Sequence, residues 1–181
     1  MAIVNTTGER ASAFDKNFYL VKDDVYEGVI SRLAGPFTTP AYEKDKPDQT
    51  KIILDCTIPT KGVMINAKGE NIDCETVILP LWASLVVTKG GKNAKGLVMS
   101  NSKLFDILDK AGMLADLEAF MKREGAEGEI PDEKLTEFLK TILVGRTAKF
   151  DVVTKVSKTA EKYSTVKDVK RFTDRAEQIN L

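Results

Sequence analysis

A chain of 181 residues with 43% apolar side chains is long enough to bury a sizeable core, and one domain with an insertion is favoured over two small domains. Its 27 lysines and arginines equal its 27 aspartates and glutamates, so the net charge identifies no class of partner and only local clusters can do so. The chain contains no histidine, which removes the commonest general base and metal ligand and weakens every enzymatic interpretation.

The first 50 residues are predicted to hold an arm, a strand and a long loop. Residues 1–20 lack sustained periodicity, and we expect an arm that is partly disordered unless it docks on the body. In "DDVYEGVISRL" β-branched residues dominate and alternate between two faces, which predicts the first strand. The prolines and glycine of "AGPFTTPAYEKDKPDQT" then predict a long loop, because proline donates no ladder hydrogen bond.

The next segments are predicted to be strands and turns. "KIILDCTIP" forms the second strand, and "KGVMINAKGENIDCETVIL" forms a hairpin that turns at Ala67–Gly69. The most apolar stretch, "TVILPLWASLVVTK", is a strand in which Pro80 indicates an edge or a bulge. A glycine-lysine turn without any acid, "KGGKNAKG", follows it.

The period then changes to that of a helix. In "SNSKLFDILDKAGMLADLEAFMKRE" one of residues 100–102 is available as the N-cap, and Gly112 ends the first helix or joins two short ones. "PDEKLTEFLKTIL" predicts another helix, with Pro131 near its start and Gly145 after its end. The segment from Thr147 returns to period two and predicts a closing hairpin.

The two cysteines and the lack of a membrane-length apolar run indicate which sites and locations to expect. Cys56 and Cys74 have no C-x-x-C spacing, so we interpret them as reduced structural thiols, with a disulfide as the minority alternative. A zinc site would lack ligands, and we predict no metal and no cofactor. No signal-peptide pattern occurs, and no run approaches the ~18 apolar residues of a membrane span. We therefore expect a cytoplasmic protein, in the host cytoplasm if viral, with no membrane partner.

The order of the elements matches the OB-fold, a five-stranded Greek-key barrel, here with helices between its third and fourth strands. Four segments resemble small OB-fold single-stranded-DNA-binding proteins of archaea, phages and bacteria: "YEGVISRL", "KIILDCTIP", "SNSKLFDILDKAG" and "LVGRTAKFDVVTKVSKTAEKYSTVKDV". The resemblance implies a mainly β chain with an OB-fold domain at 21–175 and a helical insertion at 100–143. The second helical segment, 131–143, exceeds what a minimal OB-fold contains.

The resemblance also implies a binding groove. Strands two and three of such proteins form its floor, here "KIILDCT" and "VILPLWASLVV", and two loops form its walls, here 35–50 and 155–164. Binding a single strand without sequence preference needs rings for bases and cations for phosphates. The candidate rings are Trp82, Phe37, Tyr42 and Tyr163, and the candidate cations are Lys51, Lys89, Lys92, Lys95, Lys149, Lys155, Lys158 and Lys162.

Local charge supports this placement. Residues 145–175 hold nine cations against four acids, residues 86–103 hold four lysines and no acid, and residues 104–142 hold ten acids against five cations. Counterion release from a phosphate backbone would therefore make binding salt-sensitive.

Structural alternatives stand beside these assignments. Trp82 could pack in a core, and the lysines could solubilise hairpin edges and deter strand pairing. "GGKNAKG" lacks the spacing of a phosphate loop, and Asp106, Asp109 and Asp116 fit a solvated acidic face better than a catalytic centre.

The sequence thus predicts a non-enzymatic protein that binds single-stranded DNA, with RNA as a further candidate, and acts in replication, recombination or repair. The alternative is an OB-fold protein-interaction or structural subunit of a phage or replication assembly, whose partners are a replication protein or a second copy of the chain. A small enzyme or an oligosaccharide binder is a third, less favoured class.

Overall fold

The computed structural model describes residues 18–41, 44–45, 48–86, 102–125, 130–157 and 160–174. Within them the chain is mainly β, with three helices between the sixth and seventh strands. The strands are β1 (Phe18–Leu20), β2 (Asp24–Thr39), β3 (Gln49–Ile58), β4 (Gly62–Ile65), β5 (Asn71–Cys74), β6 (Val77–Ser84), β7 (Thr147–Val156) and β8 (Lys162–Phe172), and the helices are α1 (Lys103–Lys110), α2 (Leu114–Glu124) and α3 (Asp132–Leu143).

Five antiparallel strands form the larger sheet, in the order β6-β3-β2-β7-β8. β6 and β8 form its two edges, and no ladder joins them among the described residues. The edges nevertheless approach each other, because the Thr165 hydroxyl donates a 2.8 Å hydrogen bond to the Pro80 carbonyl. The edge position predicted for Pro80 is confirmed, since an edge strand tolerates a residue without an N–H.

A smaller sheet has the order β1-β4-β5. Its β4–β5 hairpin turns where the sequence predicts, around Gly69, whose φ is +78°. The Asn66 side-chain oxygen accepts the N–H groups of Lys68 and Glu70, which holds the turn. β1 lies inside the predicted N-terminal arm and pairs with β4, so the last three residues of that segment belong to a sheet.

The loop predicted over residues 34–50 is wrong at both ends. β2 continues to Thr39, and β3 begins at Gln49. A register shift between Ala34 and Phe37 accommodates Gly35 and Pro36 as a bulge, which removes the need for a proline N–H in the ladder. Gly35 has φ +129°, and a Cβ there would lie 3.1 Å from the Lys51 carbonyl oxygen, so the bulge favours glycine.

The predicted helical boundaries are confirmed. Ser102 is the N-cap of α1, and its hydroxyl oxygen accepts the Phe105 N–H at 3.1 Å. Gly112, with φ +71°, separates α1 from α2. Pro131 precedes α3, and Gly145, with φ +91°, follows its end. None of the helices in the described part of the chain is long and apolar enough to cross a membrane.

The main hydrophobic core lies between the helices and one face of the larger sheet. Alternate residues of β3, among them Ile52, Leu54 and Cys56, join helix residues such as Leu104 and Ile107 in one buried cluster. Burial, followed by the nearby Asp55 carboxylate, raises the pKa of the Cys56 thiol well above its ordinary value. Cys56 and Cys74 are both free thiols.

Candidate nucleic-acid interface

A second, smaller apolar cluster consists of Ala34, Phe37 and Ile53, with Trp82 packed against it. Side chains alternate between the faces of a strand, and the neighbours of Ile53 on β3, Ile52 and Leu54, belong to the main core. Ile53 therefore points to the opposite face of the sheet. Trp82 lies directly across from Ile53 on β6 and shares that face. We call these four residues the outer pad.

Trp82 forms the partly exposed surface of the outer pad, whereas Phe37 is only 2% exposed. The two ring centroids are 6.4 Å apart with an interplanar angle of 53°. The half-buried indole does not belong to the main core, so it is positioned to offer part of its ring to a ligand. Phe37 was predicted to stack on a base, but its buried ring supports Trp82 and leaves no face open to a base.

A concavity of about 400 Å³ adjoins Trp82. Lys51 on β3 lies across from Ser84 on β6, and both side chains line the space. The Ser102 hydroxyl donates a hydrogen bond to the Val86 carbonyl just beyond β6, which brings the start of α1 to the same place. Lys103, the first residue of α1, completes this wall. A ring and two ammonium groups from three different elements therefore surround one space.

A third lysine acts on the same region. Burial lowers the pKa of Lys103, the positive charge of Lys155 lowers it further, Asp168 opposes the shift, and Lys51 adds to it. Lys51 and Lys103 line the same concavity, and the charge of Lys155, on β7, also acts on Lys103. We call these three residues the lysine cluster. Lys103 was absent from the predicted site, and its position at the end of an acid-free run was the only sequence signal for it.

Tyr163 lies outside the concavity. It is half-buried on β8, and its ring centroid is 5.7 Å from that of Phe18 on β1. It lies directly across from Lys155, so the two side chains share a face of the closing hairpin. The neighbouring Ser164 hydroxyl donates to the Val21 carbonyl at 3.1 Å, so this end of β8 is tied to the segment that follows β1.

The remaining predicted cations divide into two groups. Lys149 lies across from Glu27 on β2 and Arg171 on β8, and it does not line the concavity. Lys162 is exposed and lies across from Val156 at the start of β8. The other predicted site residues fall outside the described residues: Tyr42, Lys89, Lys92, Lys95 and Lys158.

The acidic residues of the helical block that the structure describes are not grouped as a metal centre. Asp106 makes a 2.7 Å ion pair with Lys110, and Asp109 and Asp116 are exposed. Across the described parts of the chain, no three cysteine, aspartate or glutamate residues are grouped so that they could hold a metal ion.

Comparison of the chain with protein-family models, with curated proteins and with solved structures found no match. The functional assignment therefore depends on the geometry around Trp82.

Proposed function

We propose that this chain is an OB-fold protein that binds single-stranded DNA without enzymatic activity. The strand pairing supports the fold assignment. β2 pairs with β3 and with β7, β3 pairs with β6, and β7 pairs with β8, with the helices between β6 and β7. With β2 as the first barrel strand, this is the pairing expected of a five-stranded Greek-key barrel, and the bond between Thr165 and Pro80 lies where its edges would meet.

The observation that carries the functional proposal is the partly exposed Trp82 beside the lysine cluster. Every base offers a flat π-face, so a base stacked on an indole contributes ~1–3 kcal/mol whatever its identity. The ammonium groups of Lys51, Lys103 and Lys155 would then meet the phosphates on either side of that base. Stacking requires an unpaired base whose face is free, and this favours single strands over a duplex.

The wider role follows from this chemistry. A protein that holds bases by stacking and phosphates by charge binds many sequences with similar affinity, which is the property needed to protect strands during replication, recombination or repair. The same contacts accept RNA, since none of them depends on the absence of a 2′-hydroxyl.

Trp82 is the single tryptophan of the chain, so intrinsic fluorescence reports on the proposed site directly. We expect a dT oligomer to quench this fluorescence, and the affinity to fall with salt by about 0.7 per phosphate contact on a log–log plot. A duplex of equal length should bind more weakly. No quenching and no binding at low salt would overturn the proposal.

The alternative function, docking of a protein partner, is favoured by a different feature. A concavity of about 470 Å³ lies between α2 and α3, beside Phe120 and Phe138, whose rings stack at 4.2 Å and 7°. Under this alternative an oligonucleotide leaves the fluorescence of Trp82 unchanged. A Phe138→Ser variant would then lose the partner, or self-association, while a Trp82→Leu variant would keep it.

A further inference from the structure

We propose that Lys103, at the first position of α1, forms a phosphate subsite with Lys51 and Lys155, so that the helical insertion is itself a wall of the groove. The inference rests on the proposed function and extends it. The walls predicted from the sequence were loops, whereas Lys103 belongs to the helical segment that connects β6 to β7.

Two attachments hold α1 in place. At its start, the Ser102 hydroxyl bonds to the Val86 carbonyl beyond β6. At its end, the Lys110 ammonium donates to the Val169 carbonyl at 2.7 Å and forms ion pairs with Asp106 at 2.7 Å and Asp168 at 3.7 Å. Lys103 therefore projects from a helix that is attached to both edges of the larger sheet, so its backbone is in place before a ligand binds.

The charges around Lys103 are unbalanced. Its neighbours include the like charges of Lys51 and Lys155, and the acid that acts on it, Asp168, already forms an ion pair with Lys110. Burial lowers the pKa of Lys103, and repulsion by the two neighbouring cations lowers it further, so the charged form of Lys103 is disfavoured without an anion. A phosphate placed among them would remove that repulsion and accept charge-assisted hydrogen bonds.

The Trp82 ring and the proposed phosphate subsite adjoin one concavity. Trp82 and Lys103 line the same concavity, so a base stacked on the ring can keep its own phosphate beside the ammonium group. The phosphate can be an internal phosphodiester or a terminal phosphate, since both offer the same anionic oxygens.

The test uses the full chain as wild type, as Lys103→Gln and as Lys122→Gln. Lys122 lies on α2 in an exposed ion pair with Glu118, so its replacement removes the same charge away from the concavity. Each protein is titrated at several salt concentrations with a dT oligomer that carries a 5′-hydroxyl and with the same oligomer carrying a 5′-phosphate. We expect Lys103→Gln to weaken binding several-fold and to reduce the salt slope by about 0.7, and Lys122→Gln to leave both unchanged.

The possible outcomes distinguish failure of the Lys103 subsite from failure of the proposed single-strand binding. Equal losses with both oligomers assign the subsite to an internal phosphodiester, and a loss confined to the 5′-phosphorylated oligomer assigns it to a terminal phosphate. Wild-type binding with no change in Lys103→Gln, or an equal change in both variants, overturns the subsite and leaves the proposed function standing. Absence of binding by the wild type overturns both. Circular dichroism of each variant verifies that the fold is retained.

Discussion

The indole ring of Trp82 rests on the phenyl ring of Phe37, with centroids 6.4 Å apart, on the face of the sheet that points away from the main core. Phe37 is buried there and Trp82 is half-buried, so the Phe37 ring supports the indole and part of the indole faces solvent. We therefore expect Phe37 to contribute mainly to stability and Trp82 mainly to binding, although the sequence analysis predicted both as base-stacking rings.

That division predicts opposite effects of two alanine substitutions. Trp82→Ala should cost ~1–3 kcal/mol of oligonucleotide affinity and less stability than Phe37→Ala, since part of the indole is already in solvent. Phe37→Ala should cost ~3–5 kcal/mol of unfolding free energy, because it leaves a cavity beneath the indole. Chemical denaturation and fluorescence or anisotropy titration measure the two quantities. Equal stability losses in both variants would contradict the division.

Tyr163 should contribute both to the unfolding free energy and to the affinity for a single strand. Its contact with Phe18 predicts that Tyr163→Ala lowers the unfolding free energy by ~0.5–1.5 kcal/mol. Its position across from Lys155 keeps the sequence-based prediction that the same variant loses ~1–3 kcal/mol of single-strand affinity.

Phe18→Ala serves as the matched control for Tyr163, since it removes the same ring contact from the other side. It should reproduce the stability loss without the affinity loss. If Tyr163→Ala binds as tightly as the wild type, Tyr163 only pins the hairpin to β1 and leaves the site.

The lysine cluster predicts a dependence of binding on alkaline pH. Burial, then Lys155 and Lys51, lower the pKa of Lys103 against the opposing effect of Asp168, so Lys103 loses its proton at a lower pH than an ordinary lysine. Affinity for a dT oligomer should therefore fall as pH rises through this range, and it should fall less in Lys103→Gln. Because phosphate favours the ammonium form, binding in this range should take up protons, which calorimetry in buffers of different ionisation enthalpy measures.

Lys103 should affect the unfolding free energy and the oligonucleotide affinity in opposite directions as pH rises. Between the lowered folded pKa and the ordinary unfolded pKa, the unfolded chain binds more protons than the folded chain, so this residue makes stability rise with pH. Denaturation of the wild type and Lys103→Gln across the alkaline range, without ligand, isolates the effect. A difference in unfolding free energy that stays constant with pH would contradict it.

Lys110 should act on stability alone. Burial works against its charge, but the hydrogen bonds and charges of Asp106 and Asp168 outweigh it and raise the pKa of Lys110. Lys110→Met should lower the unfolding free energy by about 1–2 kcal/mol, because the Val169 carbonyl and the two carboxylates lose a partly buried charged partner. Since the folded pKa is raised, this contribution is present at neutral pH and is lost as pH rises through that pKa.

Lys122→Met is the control for Lys110, since it breaks an exposed ion pair within one helix and should change stability by at most ~0.5 kcal/mol. Equal effects of the two variants would show that Lys110 does not attach α1 to β8.

The candidate site could be predicted only in part. Chain order and resemblance placed Trp82, Lys51 and Lys155 in a groove; Trp82 and Lys51 line one concavity, and Lys155 does not line it. Phe37 was assigned to a loop because Pro36 argues against a ladder, yet the bulge at Gly35 lets β2 continue and turns the ring onto the sheet. A bulge depends on the partner strand, which local sequence does not reveal.

The sequence by itself determined the helices with their bounds and the central parts of the longer strands, but it missed β1 and assigned the end of β2 to a loop. The helix bounds depend on period, capping residues and glycines within a few positions of one another, and the structure confirms them at Ser102, Gly112 and Gly145. Only the tertiary structure decided that Phe37 supports Trp82 and that Lys103 joins Lys51 and Lys155. Strand register and helix docking set those distances, and both arise from burial of a shared core by segments far apart in the chain.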